Sequence, residues 1–417
     1  MSTTEARGAV EAVWRMESAR IVGALARYTG DFPLAEDIAQ EALAEALVSW
    51  SVEGVPTAPV GWLLTVGRRR AIDTFRRRSE LDARFAVLAT DLDVEPGVDA
   101  LFDPDAIDDD VLALMFVSCH PVLAKESRIA LTLRVVGGLT SAEIAKAFLV
   151  PVPTIQARIT RAKKTLAAAE VPFALPEKTE LAVRLGSVLQ VIYLIFTEGS
   201  FASGGNEWIR TGLAGEALRL ARVLVHVAGE PEAFGLLALL ELTAARFPAR
   251  IDADGNPVLL EAQDRRLWDR AAIHRGRAAL ARAVAAGRGL GPYGLQATIA
   301  ECHAVAPSIA DTDWQRIVIV YGALGRLTPS PVIELNRAVA VAMASGPAAG
   351  LALVDAIDSR GELTGSHLLP AVRGELLTRL DRPREARRAL LKAAELCGNS
   401  AERVVLERKV ADLSRPD

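Results

Sequence analysis

The side chains best suited to chemistry in this chain are suited to holding a polyanion. Between Pro153 and Leu166, Gln156, Arg158, Arg161, Lys163 and Lys164 fall outward on a helical pattern whose inner positions are Ile155, Ile159, Ala162 and Leu166. The amide of Gln156 and the guanidinium of Arg158 have the geometry for paired hydrogen bonds to adenine or guanine edges. Arg161, Lys163 and Lys164 lie further along and suit phosphates. A second basic concentration is Arg68, Arg69, Arg70, Arg76, Arg77 and Arg78, interleaved with Trp62 and Phe75. Arginines three and four apart on a helix repel by a few tenths of a kcal/mol per pair. A polyanion reverses that cost and releases counterions. Trp62 and Phe75 have faces on which unpaired bases stack, and they have equally the bulk of core anchors. A solvated basic face is the competing reading of the arginine stretch. Opposite in sign, Glu36, Asp37, Gln40, Glu41 and Glu45 share one face of Leu34–Trp50, which reads as solvated surface or as a docking face for a basic partner.

No catalytic constellation stands out, and neither a metal nor a cofactor is expected. Cys119-His120 lacks further ligands at a metal-binding spacing and reads as a packed thiol beside a polar helix end. Asp252-Asp254 resembles the start of a calcium loop, but Pro257 sits where the loop needs glycine. Thr197-Glu198-Gly199, Asn206-Glu207-Trp208 and Cys302-His303 are further polar clusters, read as helix connections. The Gly-rich loop Gly199–Gly205 lacks the Lys-Ser/Thr of a phosphate loop.

The elements that position these residues are helices throughout. Thr140 and Glu143 form a capping box that starts a helix at Ser141, with Ile144, Ala147 and Phe148 inward. Pro151 stops it, and Pro153 opens a second helix that runs to about Leu166. This is a helix-turn-helix. Upstream, Val13 to Tyr28 and Leu34 to Trp50 read as helices broken at Gly30–Pro33. Residues 60–78 form a third, with Trp62, Leu63, Val66, Ile72 and Phe75 inward. Residues 79–110 are acidic, with only Arg84 basic and with Pro96, Gly97 and Pro104 present, as expected of a linker. Two helices flank Pro121.

At 417 residues, 51% hydrophobic and with a net charge of −4, the chain is expected to hold several globular domains and to bind nucleic acid only through local basic patches. Three separated cysteines do not build a disulfide framework. The N-terminus has no signal-peptide core, and the apolar stretch Leu185–Phe196 is short for a bilayer. A cytoplasmic protein is expected.

From residue 9 to about 170, the chain resembles extracytoplasmic-function (ECF) sigma factors of bacterial RNA polymerase. The resemblance rests on AEDIAQEALAEAL at 35–47, GWLLTVGRRRAIDTFRRR at 61–78 and VPVPTIQARITRAKKTL at 150–166, with the acidic linker between. It implies an all-α fold with sigma domain 2 at 1–78, a linker at 79–108 and sigma domain 4 at 109–170. It further implies that Asp37, Gln40 and Glu41 dock on the β′ clamp helices of core RNA polymerase. Trp62 and Arg68, Arg69, Arg70, Arg76, Arg77 and Arg78 would melt and read a −10 promoter element. Thr154, Gln156, Arg158, Arg161, Lys163 and Lys164 would meet the −35 element. Arg69 stands where the family often has Asn, and Gln156-Ala157 where it often has Lys-Ser, so the promoter sequence is not inherited.

Typical members end near residue 170. Here Val171–Glu177 connects to helices at Leu181–Phe196, Leu213–Val227, Glu232–Phe247 and across 264–306, and Ala249–Leu260 reads as a short β-hairpin. From about 330, Ala338, Val341, Gly350, Val354 and Ile357 are matched 36 residues later by Gly374, Leu377, Ala386, Leu390 and Ala393, as in tetratricopeptide repeats. Such repeats offer a concave surface to a peptide or protein. The chain thus resembles the ECF subgroup with a long tetratricopeptide-like extension, here 178–417, which implies control by the fused domain. Two other classes fit the residues: a DNA-binding regulator that never joins polymerase, and one whose C-terminal part senses a small molecule or is an enzyme.

Overall fold

The computed structural model describes residues 3–79, 104–148, 150–200, 211–252, 258, 260–398 and 400–413. All regular elements among them are helical, and they fall into two compact units, 1–194 and 195–417.

The first unit opens with α1 (Thr3–Thr29), α2 (Phe32–Glu53) and α3 (Pro59–Ser79), which pack on one another. Gly30 takes a left-handed φ of 65° to end α1, and Asp31 accepts from Leu34 N at 3.0 Å to cap α2. Trp14, Ile21, Leu25, Ile38, Trp50, Leu63 and Phe75 fill the core. On α2, Ala46 and Trp50 are buried while Leu47 is exposed.

The second half of this unit is α4 (Pro104–Ser118), α5 (Lys125–Val135), α6 (Ser141–Phe148) and α7 (Val152–Ala168). Described helices take up both ends of the expected acidic linker. Its reading over 80–103 lies outside the described residues, while α3 runs through Ser79 and α4 begins at Pro104. Asp110 is a core residue of α4 that meets Arg27 of α1 at 3.0 Å. Burial raises its carboxyl pKa, and Arg27 offsets only part of that rise. Gly138, at φ 69°, closes the turn before α6. A Cβ there would lie 2.8 Å from Ser18 Oγ and 3.0 Å from Trp14 O, so only glycine lets this turn seat on α1.

Helix α8 (Lys178–Ser200) crosses the boundary between the units at Leu194. Its first turns are tied to α4 and α5. Ser187 Oγ donates to Cys119 O at 2.7 Å, Arg128 donates to Ser187 Oγ at 2.9 Å, and Arg184 donates to Phe116 O at 3.4 Å. Over Glu180–Ser200 it has the length and mean hydropathy, 1.5, of a membrane-crossing helix, longer than the Leu185–Phe196 stretch alone. Leu185, Val188, Leu189, Val191, Ile192, Ile195 and Phe196 are nonetheless buried within the protein.

The second unit continues with α9 (Thr211–Ala228), α10 (Pro231–Ala244), α11 (Arg270–Ala285), α12 (Pro292–Val305) and α13 (Trp314–Leu327). Apolar on nearly all sides, α10 sits among α9, α11 and α12. Its one buried carboxylate, Glu241, is clamped by Arg222 at 2.6 Å and Arg275 at 3.0 Å. The expected hairpin at 249–260 falls largely outside the described residues. Its described flanks are the 3-10 turns Phe247–Ala249 and Leu260–Ala262, joined by one bond from Val258 N to Arg250 O at 2.9 Å.

Two helical hairpins follow, α14 (Pro331–Ser345) with α15 (Pro347–Ser359) and α16 (Leu368–Arg379) with α17 (Pro383–Leu396), and then α18 (Ser400–Asp412). The hairpins repeat one crossing. A Cβ on Gly350 would lie 2.7 Å from Ala338 O, and one on Gly374 would lie 3.3 Å from Ala386 O and 2.7 Å from Leu390 Cγ. The matched small residues are where the paired helices touch.

Candidate nucleic-acid interface

The helix-turn-helix forms where its capping box places it. Thr140 N donates to Glu143 Oε2 at 2.7 Å, and Glu143 N donates to Thr140 Oγ1 at 3.2 Å. Burial works against the Glu143 carboxylate, but the Thr140 bonds and Arg15 of α1 hold its pKa below the usual value. Ile155, Ile159, Ala162 and Leu166 are buried. Gln156, Arg161 and Lys164 are exposed, and Thr154 and Arg158 are half-buried beside them. Lys163 departs from the expected outward set. It is 17% exposed and turns back onto α2, bonding Asp37 Oδ1 at 2.6 Å and contacting Glu36.

The arginine helix divides in the same way. Arg69, Arg76 and Arg77 are exposed. Arg70 turns to α2, meeting Glu45 at 2.8 Å and Glu41 at 3.7 Å, so like-charge repulsion along α3 is relieved from within the chain. Arg68 lies 5.4 Å from the centroid of Tyr28. The side chain of Arg78 lies outside the described residues. Trp62 is half-buried, edge-on to Trp50 at 5.6 Å between centroids, so it serves as an anchor that still shows one side.

The polar face of α2 is not simply solvated. Glu36 is a core residue, 3% exposed. Lys163 contacts it, and Arg134 of α5 approaches it at 3.5 Å. Arg134 also donates to Gln40 Oε1 at 2.5 Å and to Leu139 O at 3.3 Å. Arg15–Glu143 and Arg27–Asp110 add two more ion pairs between α1 and the second half of the unit. Burial disfavours the Lys163 ammonium, but Glu36 and Asp37 outweigh burial and raise its pKa. Helical periodicity puts Glu36 on the polar face and marks Arg134 for nothing. Both roles depend on a contact between residues far apart in sequence.

Elsewhere, Cys119 is a packed thiol against Thr132 Oγ1 at 3.3 Å, and burial pushes its pKa up to about 11. His120 Nδ1 accepts from Val122 N at 3.2 Å at the end of α4. His367, Cys397 and Glu402 bring their ligand atoms within 4.8 Å of one another. His367 is hydrogen-bonded to Glu402 at 3.1 Å, and Cys397 belongs to the apolar core of α17 and α18. Asn206-Glu207-Trp208 and Asp254 lie outside the described residues.

Comparison with known proteins agrees with this arrangement. Residues 14–80 match the model of Sigma-70 region 2, residues 113–166 that of Sigma-70, region 4, and residues 184–284 that of a family of unknown function, DUF6596. The chain is 43% identical over 396 residues to the uncharacterized protein R00370 of Rhizobium meliloti (strain 1021), covering 94% of this chain and 93% of that protein. It is 28% identical over 151 residues to the ECF RNA polymerase sigma factor SigK of Mycobacterium ulcerans (strain Agy99), covering 35% of this chain and 78% of that protein. No solved structure matches it. With sigma-70 regions 2 and 4 in order and a DUF6596 domain behind them, the chain belongs to the same family as the Rhizobium protein and fits an ECF sigma factor with a C-terminal extension.

Proposed function

We propose that the protein binds core RNA polymerase and directs promoter-specific initiation in the cytoplasm. In this reading α2 docks on the β′ clamp helices through Asp37, Gln40 and Glu41. The −10 element meets Trp62 and the exposed arginines of α3, and the −35 element meets α7 through Thr154, Gln156, Arg158, Arg161 and Lys164. The observation that carries the reading is the pairing in one chain, in family order, of two sigma modules that each leave basic side chains exposed on one helix. Two modest DNA contacts then gain from effective concentration once both engage one promoter.

The contacts of Asp37 and Gln40 add a condition. Both are already engaged, by Lys163 and by Arg134. Docking on polymerase exchanges these intramolecular bonds for intermolecular ones, so the two sigma domains separate as the complex forms. The extension at 178–417 supports or gates that step, with its tetratricopeptide-like hairpins open to a protein or peptide partner. The test is transcription in vitro with core enzyme. Promoter-specific initiation is expected, and Asp37→Arg should abolish core binding in a pull-down. Failure of both the full chain and residues 1–170 to initiate would refute the reading, and a DNA-binding regulator independent of polymerase would take its place.

A further inference from the structure

In the second unit, elements far apart in sequence bring arginines together beneath the end of α10. Arg246 follows α10, Arg250 follows the turn Phe247–Ala249, and Arg265 opens the turn Arg265–Leu267. The guanidinium carbons of Arg246 and Arg265 lie 5.5 and 4.6 Å from the centroid of buried Trp268, and that of Arg250 lies 5.8 Å from Phe247. Arg246 Nε donates to Gln263 Oε1 at 3.3 Å. Arg265 Nη1 donates to His303 O at 2.7 Å and to Ala306 O at 2.6 Å.

Asp311 acts on Arg265 without forming an ion pair with it. Among the described residues, no carboxylate forms an ion pair with Arg246 or Arg265. The same unit clamps Glu241 between Arg222 and Arg275, so its arginines find carboxylates where carboxylates are provided. Burial, reinforced by neighbouring arginines, lowers Arg246 and Arg250 to about 10. His303 falls to about 4 through burial and the charges of Arg246 and Arg265. Aromatic faces compensate part of the buried charge. They do not satisfy hydrogen-bond donors, and Arg265 Nη2, His303 Nδ1 and Trp268 Nε1 are buried without partners. Hydrogen-bonding capacity is thus left open, among the described residues, beside the guanidiniums of Arg246 and Arg265.

We propose that Arg246, Arg265 and His303, with Arg250 and Gln263 beside them, bind a small oxyanion: the carboxylate or phosphate group of a metabolite. Planar guanidinium forks suit either group, because each takes paired N–H bonds in one plane. The site belongs to the second unit, shares no residue with those assigned to DNA or polymerase, and is independent of the polymerase reading, so its test requires neither.

The test is thermal unfolding of the full chain with inorganic phosphate or citrate, against sodium chloride at matched ionic strength. A saturable rise in Tm of about 2 °C or more is expected with one of the two anions. A response to phosphate alone assigns a phosphate-bearing ligand, a response to citrate alone assigns a carboxylate, and a response to both assigns a site for oxyanions in general. Arg246→Gln should remove the response while leaving the unliganded Tm equal or higher, since it relieves repulsion. Should that variant not fold, Arg246→Lys, which keeps the charge and loses the fork, should weaken the apparent affinity at least tenfold. No response beyond chloride, or a response undiminished in these variants, overturns the proposal.

Discussion

Lys163 carries two roles that cannot be exercised at once. Its ammonium would suit a promoter phosphate, yet it is held by Glu36 and Asp37. Lys163→Met keeps the stem and removes the charge, leaving Glu36 buried with only Arg134 at 3.5 Å. A loss of roughly 2 kcal/mol is expected in urea unfolding, below the ~3–5 kcal/mol of a fully broken buried pair because Arg134 remains. Affinity for core polymerase should rise several-fold in a pull-down titration, since Asp37 is released. The raised pKa of Lys163 means its contribution is complete below the unfolded value, near 10.4, and is lost only as pH climbs through the folded one, so the contact is intact at neutral pH. His303 behaves oppositely. Its folded pKa of about 4 lies below the unfolded value, so the unfolded chain binds the extra proton. Stability is full above about pH 6.5 and falls towards pH 4, by as much as about 3 kcal/mol. His303→Gln should flatten that slope in denaturant titrations across the same range.

Helices whose ends and faces are set by local chemistry are legible in the amino-acid sequence alone. Thr140, Glu143, Pro151 and Pro153 bracket α6 and α7, and the buried set Ile155, Ile159, Ala162 and Leu166 is the one that periodicity names. Thr140→Ala should therefore cost about 1 kcal/mol, measured by chemical denaturation. The crossings of the C-terminal hairpins are also legible, because a close approach restricts residue size at the matched pairs Ala338/Gly374 and Gly350/Ala386. Gly374→Ala puts a methyl 2.7 Å from Leu390 Cγ and should destabilise the unit by roughly 1–3 kcal/mol, with the loss seen by differential scanning calorimetry. Contacts that join distant segments leave no such mark. Glu36 sits on the polar stripe of α2 and is buried only because α5 and α7 cover it. Arg246, Arg265 and His303 come from separate elements, and no spacing rule connects them. The acidic run reads as linker through Asp110 because charge ordinarily marks exposure, whereas Arg27 lets Asp110 be buried in α4.

At the scale of the molecule, the sigma half and the extension do not divide where the composition changes. Pro172 and Pro176 mark a connector, yet the first compact unit runs on to Leu194, and the DUF6596 match begins at residue 184. The reason is that α4 and α5 leave polar groups for α8 to satisfy. Arg184 reaches Phe116 O, Ser187 reaches Cys119 O, and Arg128 reaches Ser187. A chain cut at residue 170 loses these bonds. Residues 1–170 should thus unfold at lower denaturant than residues 1–200, by about 1–3 kcal/mol for the buried groups left unsatisfied. Cys119 reports the difference directly. It is fully enclosed in the whole chain and its thiol is held up to about 11 by burial, so little thiolate is present at pH 8 and reaction with a thiol reagent should be slow. In the shorter fragment the enclosure opens and labelling should quicken at least tenfold. Equal labelling rates would mean that α8 is an appendage of the sigma half, and the boundary would move back to the prolines.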